Sequence, residues 1–340
     1  MNSKKQLISI ILSTAITVSA IPSFAYSDVE EGSWYEKAIK NASEKGWFAG
    51  YEDGTFRPES PVSRGELSEI LMRMDSSKKA GNTVTSQIQG DESEMTEREK
   101  LTKETYNRLF AGADIPSNIS ESELYSIVNK VIYGDIYNDS TLDVKEREMI
   151  SLAVLAANGT LTLLKSHIYS ALNAGLSADE ITEILYQCTP YIGAAKALEA
   201  VGTANEVFSE KGISVQSAST TTDDSRWEAG KSAQAAIFGH STGSEYSGTR
   251  IAANYLPDFC FGDFYTREVL NVQQREIITF CCLAALGGCD SQIRSHITAN
   301  NNVGNNREHL LNIVTNCMPY IGFPRSLNAI SAINEILPAE

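Results

Sequence analysis

The sequence predicts an all-α protein: a tandem pair of helical bundles behind a small helical module. Three observations predict it. The pattern Arg-Glu, apolar run, His occurs twice, as Arg147-Glu148 to His167 and as Arg275-Glu276 to His296. Each copy leads to Cys-x-Pro-Tyr-Ile-Gly, at Cys188 to Gly193 and at Cys317 to Gly322. The copies lie about 128 residues apart, the spacing of a duplicated domain rather than of a short-period solenoid.

The bulk numbers bound the rest. At 340 residues, two or three domains are expected. A hydrophobic content of 42% with 21% charged residues is enough to build real cores. The formal charge of -15 argues against nucleic-acid binding through a basic face.

The chain opens with Lys4 and Lys5, the apolar stretch Leu7 to Ala20, and Ser23-Phe24-Ala25. Residues 1–25 therefore read as a secretory signal peptide and are left out of fold reasoning. No later run is apolar enough to span a bilayer, so the mature protein is expected to be exported, at the cell wall or cell surface.

Residues 26–75 form a small module. Trp34, Tyr35, Ala38, Ile39 and Ala42 recur at helical spacing, and Gly46 to Gly50 break that helix. Gly50 to Pro58 is a turn-rich loop. Ser63 then caps a second helix, with Glu66 completing a capping box and Leu67, Ile70, Leu71 and Met74 on the apolar face. In Trp34-Tyr35, Gly50-Tyr51, Asp53-Gly54-Thr55-Phe56, Pro58 and Ser63-Arg64-x-Glu66, this stretch resembles a single S-layer homology module. The resemblance implies attachment to cell-wall polysaccharide, with Arg64 facing the ligand and Glu66 supporting it. Such modules usually come in threes, and here there is one.

Residues 76–97 are polar and read as a flexible linker. Repeat 1 follows at 98–210, a polar stretch at 211–225, and repeat 2 at 226–338. In repeat 1, Val144 to Ala157 is a helix apolar on most faces, stopped at Asn158-Gly159. Thr160 to Ala174 carries His167 and closes at Gly175. Ser177 and Glu180 form a capping box for the next helix. Pro190 to Gly193 is expected to break the chain before an Ala-rich helix, Ala194 to Phe208. Repeat 2 follows the same plan: Gln273 to Leu286, then Cys289 to Ala299 carrying His296, with Asn306 and His309 replacing the capping box. Phe323-Pro324 opens the last helix.

Each repeat is similar to the carboxymuconolactone decarboxylase-like family, which includes the alkylhydroperoxidase D type. The resemblance rests on Gly134-Asp135-Ile136-Tyr137, Arg147-Glu148, His167, Ala171-x-x-x-Gly175, Glu180-Ile181-x-Glu183 and Tyr191-x-Gly193 in repeat 1. In repeat 2 it rests on Gly262-Asp263-Phe264-Tyr265, Arg275-Glu276, His296, Gly304 and Tyr320 to Pro324. It implies an all-α bundle assembled as a homo-oligomer, here a trimer of tandem chains. A trimer would gather three wall modules and raise their avidity.

The chemistry implied divides on cysteine. Peroxidase members of the family carry a CxxC before the histidine; those positions hold Thr160 and Leu163 in repeat 1, and Cys289 and Gln292 in repeat 2. Peroxidase activity would therefore fall to Cys289, activated by His296 two turns along the helix; it lacks a local resolver, and Cys281 or Cys282 would serve only if the fold brings one close. Cys188 and Cys317 read as core thiols.

The decarboxylase branch needs no cysteine, metal or cofactor. Glu148 with His167, and Glu276 with His296, would move protons on a small organic acid or lactone, while Arg147 and Arg275 hold a substrate carboxylate. The preferred reading is this enzyme. The alternatives are the Cys289 peroxidase and a non-catalytic envelope assembly protein. Tyr191 and Tyr320 read as packing residues. Asn312, standing where repeat 1 has Glu183, favours one working site over two.

Overall fold

The computed structural model describes residues 26–30, 32–51, 53–81, 95–139, 141–240 and 249–339. The signal-peptide reading and most of the 76–97 linker lie outside the described residues. The chain divides into two units, 1–84 and 85–340. Among the described residues every regular element is a helix, and none is long and apolar enough to cross a membrane.

The first unit holds α1 (Glu36–Glu44) and α2 (Arg64–Gly81). Its small core gathers Ile39 and an aromatic run in which the Tyr26 and Phe48 rings sit 5.2 and 5.8 Å from Phe56. The loop between the helices is pinned by Asp28, which accepts the Phe56 and Arg57 amides, each at 2.7 Å. These backbone bonds, Phe56 first, hold the Asp28 carboxyl below its ordinary range. The expected capping box is present: the Glu66 amide donates to Ser63 Oγ (3.2 Å), and the Ser63 amide to Glu66 Oε2 (2.8 Å).

The second unit is the tandem body. Repeat 1 runs α3 (Glu97–Leu109), α4 (Ser117–Ser120), α5 (Glu123–Asn129), the π-type helix π1 (Lys130–Ile136), α6 (Tyr137–Asp139), α7 (Val144–Asn158), α8 (Leu161–Asn173), α9 (Ala178–Ile192) and α10 (Ala194–Glu210). Repeat 2 runs α11 (Arg226–Phe238), π2 (Ile251–Tyr265), α12 (Val272–Leu286), α13 (Asp290–Asn302) and α14 (Arg307–Ile336), the last kinked at Gly322.

α7 and α12 are the axis. Asp143 and Asn271 cap their starts by accepting the Glu146 and Gln274 amides. Arg147 to Ala157 and Arg275 to Ala285 are buried without a break. A helix apolar on most faces must be covered on most faces. α7 and α12 pack on each other; α8, α9 and α14 cover the rest of α7, and α9, α13 and α14 the rest of α12. One continuous core, from Ile150 and Leu152 to Ile278 and Phe280, therefore serves both repeats.

One boundary differs from expectation. α9 runs through Pro190 to Ile192, and the break falls at Gly193 (φ 83°, ψ 154°). A proline removes one amide from a helix, whereas this glycine conformation ends it. The 211–225 stretch is not helical but is strapped to the body. The Gln216 amide donates to Asp179 Oδ1 (2.9 Å), Thr220 Oγ1 to the Thr266 carbonyl (2.7 Å), and the Glu268 amide to the Ala218 carbonyl (3.0 Å).

α11 and π2 approach so closely that a Cβ on Gly230 would lie 2.0 Å from the Pro257 carbonyl oxygen. Gly202, on an exposed face of α10, would meet nothing within 4 Å. Gly230→Ala is expected to destabilise the body by about 1–3 kcal/mol or more. Gly202→Ala should be neutral or stabilising by about 0.5–1 kcal/mol. Urea unfolding of the two variants checks this.

His309 on α14 joins Glu146 on α7 at 2.6 Å. The hydrogen bond to Glu146 raises the imidazole above its ordinary value despite partial burial. A raised folded pKa stabilises fully below the unfolded value of about 6.5 and is lost as pH climbs through the folded value. The stability gap between the natural chain and His309→Gln should therefore be widest near about pH 5.5 and close by about pH 8.5. Urea midpoints across that range read it out.

Candidate active site

Glu148 and His167 come together because α7 and α8 form an antiparallel pair closed at Gly159, whose left-handed conformation (φ 72°) ends α7. Glu148 Oε2 lies 2.9 Å from His167 Nδ1, and both side chains are buried. Tyr137 donates its hydroxyl to Glu148 Oε1 at 2.7 Å. With Nδ1–H given to the carboxylate, Nε2 faces away from Glu148. It meets the Tyr320 hydroxyl at 3.3 Å, and Tyr320 belongs to repeat 2. The Phe110 ring stands edge-on to the imidazole at 5.2 Å.

Repeat 2 repeats the arrangement. Glu276 Oε2 lies 2.7 Å from His296 Nδ1, and Tyr265 donates to Glu276 Oε1 at 2.7 Å. Phe238 takes the place of Phe110, 5.4 Å from His296. Tyr191, from repeat 1, stands 5.6 Å from that imidazole, ring to ring. Its hydroxyl, however, bonds the Tyr265 hydroxyl at 2.9 Å. Each acid and imidazole pair thus has a tyrosine from the opposite repeat beside it. Tyr191 and Tyr320, expected as packing residues, are hydrogen-bonded members of the two sites. Burial, and then the neighbouring Glu148, push the Tyr137 and Tyr320 phenols up, so both stay protonated at neutral pH.

A cavity of about 310 Å³ opens beside His167. Phe110, Tyr125, Ile132, Tyr133, Leu163 and Tyr320 are among the residues of its wall. Tyr125 is held by a 2.9 Å hydroxyl contact with Tyr106.

The arginines require a correction. Neither Arg147 nor Arg275 lines this cavity. Successive residues on a helix point about 100° apart. Glu148 and Glu276 turn toward their imidazoles, and the arginines before them turn into the seam between the repeats. Arg275 donates to Glu183 Oε2 (3.3 Å), Gln187 Oε1 (3.1 Å) and the Arg267 and Glu268 carbonyls (2.7 and 3.1 Å). Arg267 holds Glu183 with both Nε and Nη2, at 2.9 and 2.8 Å. Arg147 donates to Asn316 Oδ1 (2.9 Å) and to the Leu142 and Ile136 carbonyls, each at 3.0 Å. These guanidinium groups hold the repeats together.

Asn312 correspondingly faces Thr141 (3.4 Å). The loss of a carboxylate there weakens the Arg147 clamp and leaves both acid and imidazole pairs intact. It is no ground for choosing one site over the other.

Cys289 is half-buried at the start of α13 and donates to the Leu283 carbonyl at 3.2 Å. Burial, and then Asp290, push its thiol up, opposite to an activated thiolate. Cys188, Cys281, Cys282 and Cys317 are free and buried in the shared core, and burial pushes the Cys281 thiol well up. Burial also pushes the Cys260 thiol up, to about 12. Among the described residues no group of three or more His, Cys, Asp and Glu side chains is placed to hold a metal ion.

In the first unit, Glu66 is engaged with Ser63 and, at 3.4 Å, with the Tyr51 hydroxyl. It borders a cavity with Trp47, Tyr51, Phe56 and Arg57. The Arg64 side chain lies outside the described residues.

Comparison with known proteins agrees with this division. The carboxymuconolactone decarboxylase family matches residues 122–206 and 252–335. The S-layer homology domain matches residues 25–68. A 4-carboxymuconolactone decarboxylase of Acinetobacter baylyi is 27% identical over 96 residues, 28% of this chain and 72% of that protein. Cell surface glycoprotein 1 of Acetivibrio thermocellus is 40% identical over 47 residues, 14% of this chain and 2% of that protein. A cellulosome-anchoring protein of the same organism is 33% identical over 51 residues, 15% of this chain and 11% of that one. The chain thus spans only a small part of these two surface proteins.

Removing Glu183 strands two guanidinium groups in the seam. Glu183→Ala is expected to cost about 3–5 kcal/mol, the range for breaking a buried ion pair on one side. Chemical denaturation of the full chain measures it.

Proposed function

The chain carries two domains of the carboxymuconolactone decarboxylase family behind an S-layer homology domain, and on that footing we propose a surface-held enzyme that moves protons on a small lactone or organic acid. The observation that supports it is the run Tyr137, Glu148, His167, Tyr320, which ends at a cavity of ligand size.

In this reading Glu148 fixes the imidazole by accepting Nδ1–H and balances the charge when Nε2 takes up a proton. Nε2 is the atom that receives a proton from, or returns it to, a carbon beside the substrate carbonyl. The Tyr320 hydroxyl, protonated at neutral pH, supplies a hydrogen bond to oxygen on which charge gathers. Proton transfer by a placed side chain is worth about 10²–10⁴ in rate. Glu276 and His296 form the second copy, with Tyr191 and Tyr265 beside them. The Cys289 peroxidase reading finds no support in a thiol that is pushed up and bonded to a carbonyl.

Export through the 1–25 segment belongs to the same proposal. So does retention on wall polysaccharide through Arg64 and Glu66, and assembly of the body as a trimer.

The test follows solvent deuterium entering a γ-lactone, and carbon dioxide leaving a carboxylated one. In a His296→Gln background, which leaves the repeat 1 site alone, His167→Gln and Glu148→Gln should each lower kcat by about 10²–10⁴, and thiol blocking should leave it unchanged. Tyr320→Phe in the same background should lower it by about tenfold, one hydrogen bond's worth. A folded His167→Gln/His296→Gln protein with unchanged turnover, or activity abolished by thiol blocking, overturns the reading.

A further inference from the structure

The cavity beside His167 has a property that the two arginines were expected to prevent. Among the described residues no lysine, arginine, aspartate or glutamate lines it. Its polar side chains are neutral, and most of the short ones are already spent inside the protein: Ser122, Thr160 and Ser166 donate to the Ile119, Leu155 and Thr162 carbonyls, and Asn158 to the Tyr320 carbonyl. Lys196, which packs at Gly159, gives its ammonium to the Ala157 carbonyl at 2.6 Å. Among the described residues, the one ionisable side chain in the wall able to carry positive charge is His167, and its Nδ1 is already matched by Glu148. Such a wall receives a carboxylate poorly, because a charge taken from water needs an opposite charge or several donors in return.

We infer that the repeat 1 site takes an uncharged, ring-sized carbonyl compound, of the neutral γ-lactone class, and excludes the free acid. This rests on the proton-transfer reading of Glu148 and His167 and narrows it. The first turn of α8, at Thr160 and Leu163, borders the cavity. Phe110, Tyr125 and Tyr133 cover the ring faces. A substrate without a carboxylate has no carbon dioxide to lose, so the reaction class becomes proton relocation. A C–H bond next to the conjugated system breaks, its electron pair passes to the carbonyl oxygen, and Nε2 of His167 holds the proton. The proton returns at another carbon, and no oxidant or reductant is consumed.

The experiment compares an unsaturated γ-lactone bearing an acetate arm with its methyl ester, two probes that differ by one charge. Calorimetric titration of the full chain at neutral pH is expected to show the ester binding at least fivefold tighter. Leu163→Arg, which sets a cation in the wall, should turn the preference toward the acid; circular dichroism verifies that this variant is folded. An ester preference below fivefold, tighter binding of the acid, or no binding of the ester overturns the inference. The first two outcomes would mean that the neutral wall accepts a carboxylate. Binding and turnover are read separately. Ester binding without deuterium exchange fails only the catalytic reading, while exchange without ester preference fails only the substrate class.

Discussion

A carboxyl group with no contact to water is the constraint from which the body is built. Glu148 and Glu276 are both fully buried, and an unpaired carboxylate at such a place is costly by several kcal/mol. Each is therefore met on both oxygens, by a tyrosine hydroxyl and by an imidazole nitrogen. Those partners come from different elements: π1 and α6 must turn to present Tyr137, and α7 must fold back on α8 to present His167. The need to satisfy one side chain thus sets the relation of several helices, and does so twice.

The same rule governs the seam between the repeats. Arg147 and Arg275 are buried beside the glutamates and must also be matched. They find carbonyls and side chains across the pseudo-symmetric interface. Glu183 and Gln187 answer Arg275, while Asn316 answers Arg147 in the equivalent place. The duplication is therefore exact in the acid and imidazole pairs and relaxed in the clamp. Because Tyr320 and Tyr191 also cross the seam, neither site is complete within one repeat. The fused chain keeps in one polypeptide what two separate copies would have to bring together.

Much of this was legible in the sequence where the signal is local. The helix stop at Gly159, the capping boxes at Ser63 and Ser177, and the lost box at Asn306 follow from spacing over a few residues. Glu148 and His167 were also legible as a pair, since duplication marks them together. What escaped depends on contacts over long separations or on direction around a helix. Tyr320 meets His167 across 153 residues and two repeats, which no periodicity encodes. Arg147 adjoins Glu148 in sequence but faces another way, because neighbours on a helix diverge. The close passage of α11 against π2 left a trace at Gly230 and Gly262, glycines whose small size the backbone approach demands.

The claim at the centre is that the imidazole of one repeat is completed by the tyrosine of the other. Nitrogen-15 NMR of histidine-labelled protein tests it most directly, by resolving Nδ1 and Nε2 of His167 and His296. The account predicts Nδ1 protonated in both rings, and a Tyr320→Phe substitution that moves the Nε2 resonance of His167 while leaving that of His296 in place. A His167 Nε2 resonance unmoved by Tyr320→Phe, or an Nδ1 without its proton, would contradict it.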